Sequence, residues 1–141
     1  MMSITTAIAN QIDKIIPNAT ICIENQGQKF AEPSFYIYEI MSDSKDELMR
    51  QEMRKHLYCV MWFPDSSLDE PGVKEQCENM RTTLLDELSF LDDLSIKLMD
   101  REAKIEQEAL NFTFKLRYKV RKEDLTPKLD FLDQRGGLKD G

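Results

Sequence analysis

One stretch of alternating residues, 107–122, constrains the fold of this chain more than any other. Its apolar side chains fall at even positions from Leu110 to Val120, and its polar and basic side chains fall at odd positions from Asn111 to Arg121. Because successive side chains of a strand point to opposite faces, this pattern predicts a long β-strand with one buried face and one wet, basic face. A row of polar groups on a regular strand favours a docking surface. An ordinary solvated cationic face fits the same pattern.

Length and composition are typical of one soluble globular domain. The 141 residues are enough for a single core, and we expect one α+β domain over residues 1–122 with a flexible C-terminal extension over 123–141. The chain has no apolar run long enough to span a membrane and no signal-peptide pattern at its start, so we expect no membrane association. Its three cysteines read as reduced thiols of a cytosolic protein, and its net charge of −7 argues against general nucleic-acid binding.

Two amphipathic helices are predicted from apolar residues spaced three and four apart. The first has Ser3 as its cap and ends before Pro17-Asn18; its apolar stripe is Ile4, Ile8, Ile12 and Ile15. The second follows a loop over 64–71 that offers Ser66, Ser67 and Asp69 as caps; its stripe is Val73, Cys77, Met80, Leu84, Leu88 and Leu91.

The remaining apolar runs predict strands at 20–24, 34–41, 56–63 and 94–104, besides the long last strand. Residues 42–55 carry four acidic and four basic side chains without glycine or proline, and we interpret them as a projecting, charged β-hairpin arm. A short helix is the alternative there. The predicted fold is therefore α+β: a mainly antiparallel sheet of four to five strands with two helices packed on one face.

No pattern in the chain indicates catalysis, and we predict no catalytic, cofactor-binding or metal site. The single histidine, His56, lies inside a predicted strand, and no hydrolase, metalloprotease, P-loop or dinucleotide motif occurs. Tyr36, Tyr38, Tyr58 and Trp62 resemble the stacking rings of an RNA-binding sheet, but core packing explains them more simply.

Charge is distributed unevenly along the chain. Residues 69–93 contain eight acidic and two basic side chains, whereas residues 107–122 contain five basic and one acidic. Two complementary surfaces on one chain favour docking between copies, although internal pairing or solvation is also compatible. The candidate interface residues are Arg50, Arg54, Lys55, Glu78, Asp86, Lys115, Arg117 and Lys119.

The order of these elements resembles the tail terminator family of long-tailed bacteriophages, over most of residues 4–122. The similarity lies in Ile-Cys-Ile-Glu at 21–24, Phe-Ala-Glu-Pro-Ser-Phe-Tyr-Ile at 30–37, the basic stretch 50–64 that closes with Met-Trp-Phe-Pro, and Leu-Asn-Phe-Thr-Phe-Lys-Leu-Arg-Tyr at 110–118. The acidic second helix also matches. The arm departs from the family pattern, because it lacks the glycine expected near Arg50.

The resemblance implies a structural, non-enzymatic subunit of the virion. It implies a ring, hexameric in this family, that assembles in the bacterial cytoplasm and caps the finished tail tube at the tail–neck junction. The implied partners are other copies of the chain, the tail tube protein and the head connector, with DNA only passing through the lumen. A head-completion or neck adaptor protein is the alternative within the virion. A small nucleic-acid-binding sheet or a small enzyme would need site residues that the sequence does not offer.

Overall fold

The computed structural model describes residues 2–24 and 31–121 and has the predicted α+β architecture. The predicted extension at 123–141 lies outside the described residues. The elements are α1 (Ile4–Ile15), β1 (Ile21–Cys22), β2 (Ser34–Glu47), β3 (Gln51–Phe63), α2 (Val73–Glu87), β4 (Phe90–Leu91), β5 (Ile96–Lys97), β6 (Met99–Glu106) and β7 (Ala109–Arg121). Neither of the described helices is long and apolar enough to cross a bilayer.

Five strands form the main sheet, in the order β1-β2-β3-β7-β6. The sheet is mainly antiparallel: β6 pairs antiparallel with β7, whereas the two-residue β1 runs parallel to its neighbour β2. β4 and β5 form a separate small antiparallel sheet. The predicted strand at 94–104 is wrong in its bounds, because residues 92–95 form a turn and Leu98 lies outside both strands, which separates β5, paired with β4, from β6, which starts at Met99 and pairs with β7.

The apolar face of β7 is buried in the core, as its alternating sequence predicts. Leu110, Phe112, Phe114 and Leu116 have 0% exposure, and the residues between them are half-buried or exposed. The ring of Phe114 stacks on Tyr58 of β3 at a centroid distance of 6.3 Å. Burying four large side chains on one face is the main stabilising contribution of this strand, because each removes apolar surface from water.

Helix α1 begins and packs as its sequence predicts. The hydroxyl of Ser3 accepts a hydrogen bond from the Thr6 amide and so satisfies a free donor of the first turn. At the other end, the buried Gln11 exchanges two hydrogen bonds with Asp92, and Lys14 Nζ lies 3.3 Å from Asp92 Oδ2. The acidic pair at 92–93 therefore anchors α1 to the turn between β4 and β5.

Helix α2 differs from the prediction at both ends. Its N-cap is Gly72, without a side-chain hydrogen bond, and Ser66, Ser67 and Asp69 are not its caps. It ends at Glu87, so the last residue of the predicted stripe, Leu91, is buried in β4 instead. The helical spacing of apolar residues continues past the end of the helix because Leu88 and Leu91 are also buried, although their backbone is not helical.

The chain divides into a core unit and an arm unit. Of the described residues, the core unit contains those up to Asp43 and the range Lys55–Arg117, and the arm unit contains Ser44–Arg54 with residues 118–121. The arm is a hairpin, as predicted, and the alternative of a short helix is wrong, because β2 and β3 extend into it and meet at a turn over 48–50.

Candidate interaction surfaces

The polar face of β7 carries the basic row, defined as Lys115, Arg117, Lys119 and Arg121. All four side chains are exposed, and Lys115 and Arg117 flank the fully buried Leu116. Two of them have weak partners within the chain: Lys115 Nζ lies 3.7 Å from Asp100 Oδ2, and Lys119 Nζ lies 3.8 Å from Glu47 Oε1. Exposed ion pairs of this length contribute little to folding, so the charges remain available to a partner.

Two residues of the basic row line a hollow of about 330 Å³ in the core unit. Lys55 joins Lys115 and Arg117 there, and Asp43 and Asp100 are the acidic residues of its wall. The structure thus brings together three predicted interface residues from strands that are distant in sequence. The hollow is open and has a small excess of positive charge, which suits an acidic side chain better than an apolar ligand.

Polar contacts organise the arm unit. Glu52 is only 8% exposed, and one of its oxygens accepts hydrogen bonds from Ser44 Oγ at 2.6 Å and from Arg54 Nε at 3.0 Å. The hydrogen bond and charge of Glu52 raise the pKa of the Arg54 guanidinium, with a smaller contribution from Tyr118. Charge-assisted hydrogen bonds are among the stronger polar contacts, so they hold the hairpin where apolar burial is small.

The tip of the arm presents apolar side chains to solvent. Leu48 is 87% exposed and Met49 is 82% exposed, the two highest values among the large apolar residues that the structure describes. Met49 and Arg50 adopt φ of 64° and 60°. Tight hairpin turns often need this left-handed backbone, which Asn and Gly adopt most easily. The tip therefore combines strained backbone with exposed apolar surface, as functional loops often do.

The acidic helix surface is the outer side of α2, defined as Glu75, Glu78, Asp86 and Glu87. Glu78 is half-buried and the other three are exposed. Behind this surface, Arg101 of β6 donates to the carbonyl oxygens of Leu85 at 2.7 Å and Leu88 at 3.2 Å. A cation at a helix C-terminus donates hydrogen bonds to free carbonyl oxygens and interacts favourably with the partial negative charge of the helix dipole there. Arg101 thus fixes the end of the helix that carries Asp86.

A family model described as phage tail terminator protein matches residues 3–128, which is most of the chain. The chain belongs to the phage tail terminator family. A comparison with curated proteins gives no significant match. Membership makes this terminator a structural component of a phage virion with a role in tail completion, and it implies contacts with other tail components.

The predicted interface residues of the terminator fall into three groups. Lys55, Lys115 and Arg117 meet at the hollow of the core unit; Arg50, Arg54 and Lys119 belong to the arm unit; Glu78 and Asp86 lie on α2. Within the arm, Arg54 pairs with Glu52 and Lys119 lies near Glu47.

The aromatic residues of the terminator sheet divide between its two faces. Tyr58 and Trp62 are buried at 4% and 7% exposure, which agrees with core packing rather than base stacking. Tyr36 and Tyr38 stack on each other at 5.2 Å and are half-buried. A hydrogen bond with Cys59, together with burial, raises the pKa of Tyr38 to about 12, so its hydroxyl stays protonated.

Two structural contacts of the terminator were not predicted from the sequence. Glu52 was counted only as one of the arm charges, and Arg101 was only part of the predicted strand 94–104. The local sequence around Glu52 does not show that its carboxylate is buried. Its contact with Ser44 exists because β2 and β3 are neighbours in the sheet, and no local pattern encodes that pairing. The one histidine, His56, lines the hollow, and its Nδ1 lies 2.6 Å from Glu39 Oε2. Among residues 2–24 and 31–121, no group of His, Cys, Asp and Glu is placed to hold a metal ion.

Proposed function

We propose that this terminator forms a head-to-tail ring, hexameric as the family resemblance implies, that caps the completed tail tube and joins it to the head connector. The ring stands at the tail–neck junction of the virion, is built in the host cytoplasm, and lets DNA pass through its lumen. Residues 1–122 act in this proposal as the domain that carries the contacts, with 123–141 as an extension. The protein acts by binding and needs no catalytic group.

The observation that carries the proposal is the presence of two different charged surfaces within the core unit. The hollow gathers Lys55, Lys115 and Arg117, whereas the acidic helix surface presents Glu78 and Asp86. A head-to-tail interface between identical subunits needs two distinct, complementary patches, and a rotation then closes it into a ring. The carboxylates of one copy enter the hollow of the next.

Electrostatic complementarity aligns subunits and accelerates their encounter more than it holds them together. We therefore expect salt-sensitive assembly, with a mainly monomeric protein until the tail tube supplies a template. Exposed charges at the hollow contribute only about 0–1 kcal/mol each to folding, so reversing them leaves the fold intact.

Charge reversal tests this pairing. The variant Lys115→Glu/Arg117→Glu should bind tail tubes as a ring more weakly, and adding Glu78→Lys/Asp86→Lys should partly restore the ring. Lys104→Glu is the matched control, because Lys104 is exposed on β6 and its partner is the neighbouring Glu106 at 3.4 Å. Sedimentation with tail tubes gives the readout. Unimpaired assembly of the double reversal, or no rescue by the helix changes, contradicts the pairing of these two surfaces.

The arm unit provides the contact to a neighbouring subunit or to the tube in this proposal. Arg50 is the test residue at the tip, since reversal of Arg54, which contacts Glu52, would place two carboxylates together. We expect Arg50→Glu to fold normally and to cap tails poorly; a Gln51→Glu variant controls for added negative charge. Normal capping by Arg50→Glu would show that the tip is not used. Binding to connectors but not to tubes would instead favour a neck adaptor.

A further inference from the structure

The turn at the tip of the arm has a composition that turn formation does not explain. Met49 and Arg50 adopt positive φ, a backbone that Gly, Asn and Asp adopt most easily, yet residues 48–50 are Leu, Met and Arg. Leu48 is 87% exposed and Met49 is 82% exposed, and no other large apolar side chain that the structure describes exceeds 56%. Positions at which a sequence departs from the local rules of folding are expected to be functional, so the tip is suited to a contact outside the isolated chain.

The core unit contains a second hollow, of about 410 Å³, which shares no described lining residue with the first. It is lined by residues 16–20 and 31–35 together with Trp62 and Met80, all of which belong to the core unit. Most of these side chains are apolar, and we call this site the apolar hollow. A cavity of about 150 Å³ already holds a benzene ring, so the apolar hollow has room for two aliphatic side chains.

The wall of the apolar hollow contains a polar group without a partner. Ser34 is 1% exposed, and its hydroxyl oxygen is buried with no hydrogen-bond partner among residues 2–24 and 31–121. Native proteins leave few buried polar groups unpaired, because such a group has lost its water without gaining another contact. A molecule that fills the apolar hollow and brings a polar group with it would complete this wall.

The tip and the apolar hollow carry opposite charge. Among the described residues that line the apolar hollow, Glu32 is the one charged side chain, and in the turn over 48–50 that side chain is Arg50. Glu32 also accepts hydrogen bonds from the amide and the hydroxyl of Ser66, at 3.1 and 2.7 Å, so its charge would orient the tip more than hold it. One chain thus presents two different patches that complement each other, as a heterologous contact requires.

We propose that the arm of one copy inserts Leu48 and Met49 into the apolar hollow of the next copy. The occupant of the apolar hollow is a second copy of this chain, because the tip and the hollow belong to different units and match in polarity and charge. A strand rises about 3.3 Å per residue, so residues 44–47 give the arm a length of roughly 13 Å with which to reach a neighbour.

Burial of the two side chains supplies the adhesion in this contact, and a main-chain group of the incoming turn supplies the partner that Ser34 lacks. The inference rests on the proposed ring. It adds to the ring a contact that is separate from the pairing of the first hollow with the acidic helix surface. Two simpler explanations compete with it: water alone satisfies Ser34, and the tip contacts the tail tube.

Cysteine cross-linking of the full-length protein identifies what the tip contacts. Two variants, Met49→Cys at the tip and Thr20→Cys at the exposed edge of the apolar hollow, are mixed on tail tubes and treated with a short bismaleimide. The native thiols interfere little, because Cys22, Cys59 and Cys77 are buried. We expect cross-linked dimers in the mixture and almost none with either variant alone, because a heterologous contact never places a residue against its own copy.

The control mixture pairs Met49→Cys with Lys97→Cys, which is exposed on β5 and does not line the apolar hollow, and it should not cross-link. Peptide mapping by mass spectrometry locates each cross-link. Cross-linking of Met49→Cys to the tube protein, or of a single variant to itself, would overturn the insertion.

Substitutions test the energetics of the same contact. Leu48→Ser/Met49→Ser should fold normally and assemble on tail tubes about tenfold more weakly or worse, because burial of one aliphatic side chain already corresponds to about a factor of ten. Leu68→Ser is the matched control, since Leu68 is 45% exposed and lies outside the arm and the apolar hollow. Equal assembly of the tip variant and this control would overturn the proposal.

Ser34→Ala separates a hydroxyl that meets the tip from one that meets water. We expect assembly about two- to tenfold weaker, with no loss of monomer stability, because the isolated chain loses no hydrogen bond. Unchanged assembly would assign the hydroxyl to water and overturn its contact with the tip. Rings visible by native mass spectrometry without cross-links from the tip to the apolar hollow would overturn the insertion and leave the ring standing, whereas the absence of any wild-type ring would remove both proposals.

Discussion

The core unit and the arm unit contain parts of the same three strands, but different interactions hold them. In the core unit, β7 buries four consecutive even-numbered side chains at 0% exposure, and one of them, Phe114, stacks on Tyr58 of β3. In the arm unit, the even positions Tyr118 and Val120 are only half-buried. The most buried side chain described there is Glu52, whose carboxylate accepts hydrogen bonds from Ser44 and Arg54. The single alternating pattern of β7 thus continues from an apolar core into a largely exposed, polar arm.

This difference explains how a small structural protein can keep its fold while presenting a changeable contact region. The stabilisation from apolar burial scales with the area removed from water, and the core unit buries this area within the chain itself. Its stability therefore does not depend on a partner. Polar contacts in an exposed ribbon contribute little net free energy and can be exchanged for contacts with another molecule. We therefore expect substitutions in the core unit to affect stability first and substitutions in the arm unit to affect assembly first.

The largest effect should come from truncating the core. Phe114→Ala removes a ring that stacks on Tyr58 and packs 5.9 Å from Phe112, and it should lower the free energy of unfolding by about 2–5 kcal/mol. Thr113→Ala, the neighbour on the polar face, should change it by less than about 1 kcal/mol. Denaturant unfolding measures both. Equal effects for the pair would break the assignment of faces.

A smaller, local effect should come from the buried arm carboxylate. Glu52→Gln keeps the side-chain shape but removes the charge that Ser44 and Arg54 contact, so amide exchange in 51–54 should accelerate by about tenfold or more. The melting temperature of the core should hardly move. Glu47→Gln is the matched change, because its partner Lys119 lies 3.8 Å away at the surface, and it should leave exchange nearly unchanged.

If Glu52→Gln instead unfolds the whole protein, the polar cluster is part of the core and the distinction between the two units is wrong. If neither glutamate matters, the arm is held by its backbone pairing alone.

The smallest effect should appear at the turn. Met49→Gly places glycine at a residue with φ of 64° and removes only an exposed side chain, so it should stabilise the hairpin by up to about 1 kcal/mol. Leu48→Gly, one residue earlier and without positive φ, should destabilise it slightly because of backbone entropy. Amide exchange near the tip reports both. A loss of stability in Met49→Gly would show that the methionine side chain has a packing role.

The sequence predicted the core better than the arm for a physical reason. Period-two and helical spacing report burial directly, which is why the buried face of β7, the cap at Ser3 and the fold class are confirmed. The same signal misled at Leu91, because a buried residue can continue a helical spacing after the helix has ended.

The candidate interface residues were predicted from the sequence as individual charges and not as spatial groups. Lys55, Lys115 and Arg117 share a hollow because β3 and β7 are neighbours in the sheet, a fact that no local pattern encodes. The commitment of Arg54 to Glu52 depends on the same kind of pairing. Counting charges along the sequence predicts that a charged surface exists. The strand order is needed to tell which of those charges already pair with another residue of the same chain.

The most direct test of this account is to image the full-length protein bound to tail tubes and weigh the complex in solution. The account predicts a closed ring of about six copies at one end of each tube, lost at high salt and in the Lys115→Glu/Arg117→Glu variant. Monomers scattered along the tube wall, or a ring that ignores both salt and charge reversal, would contradict it.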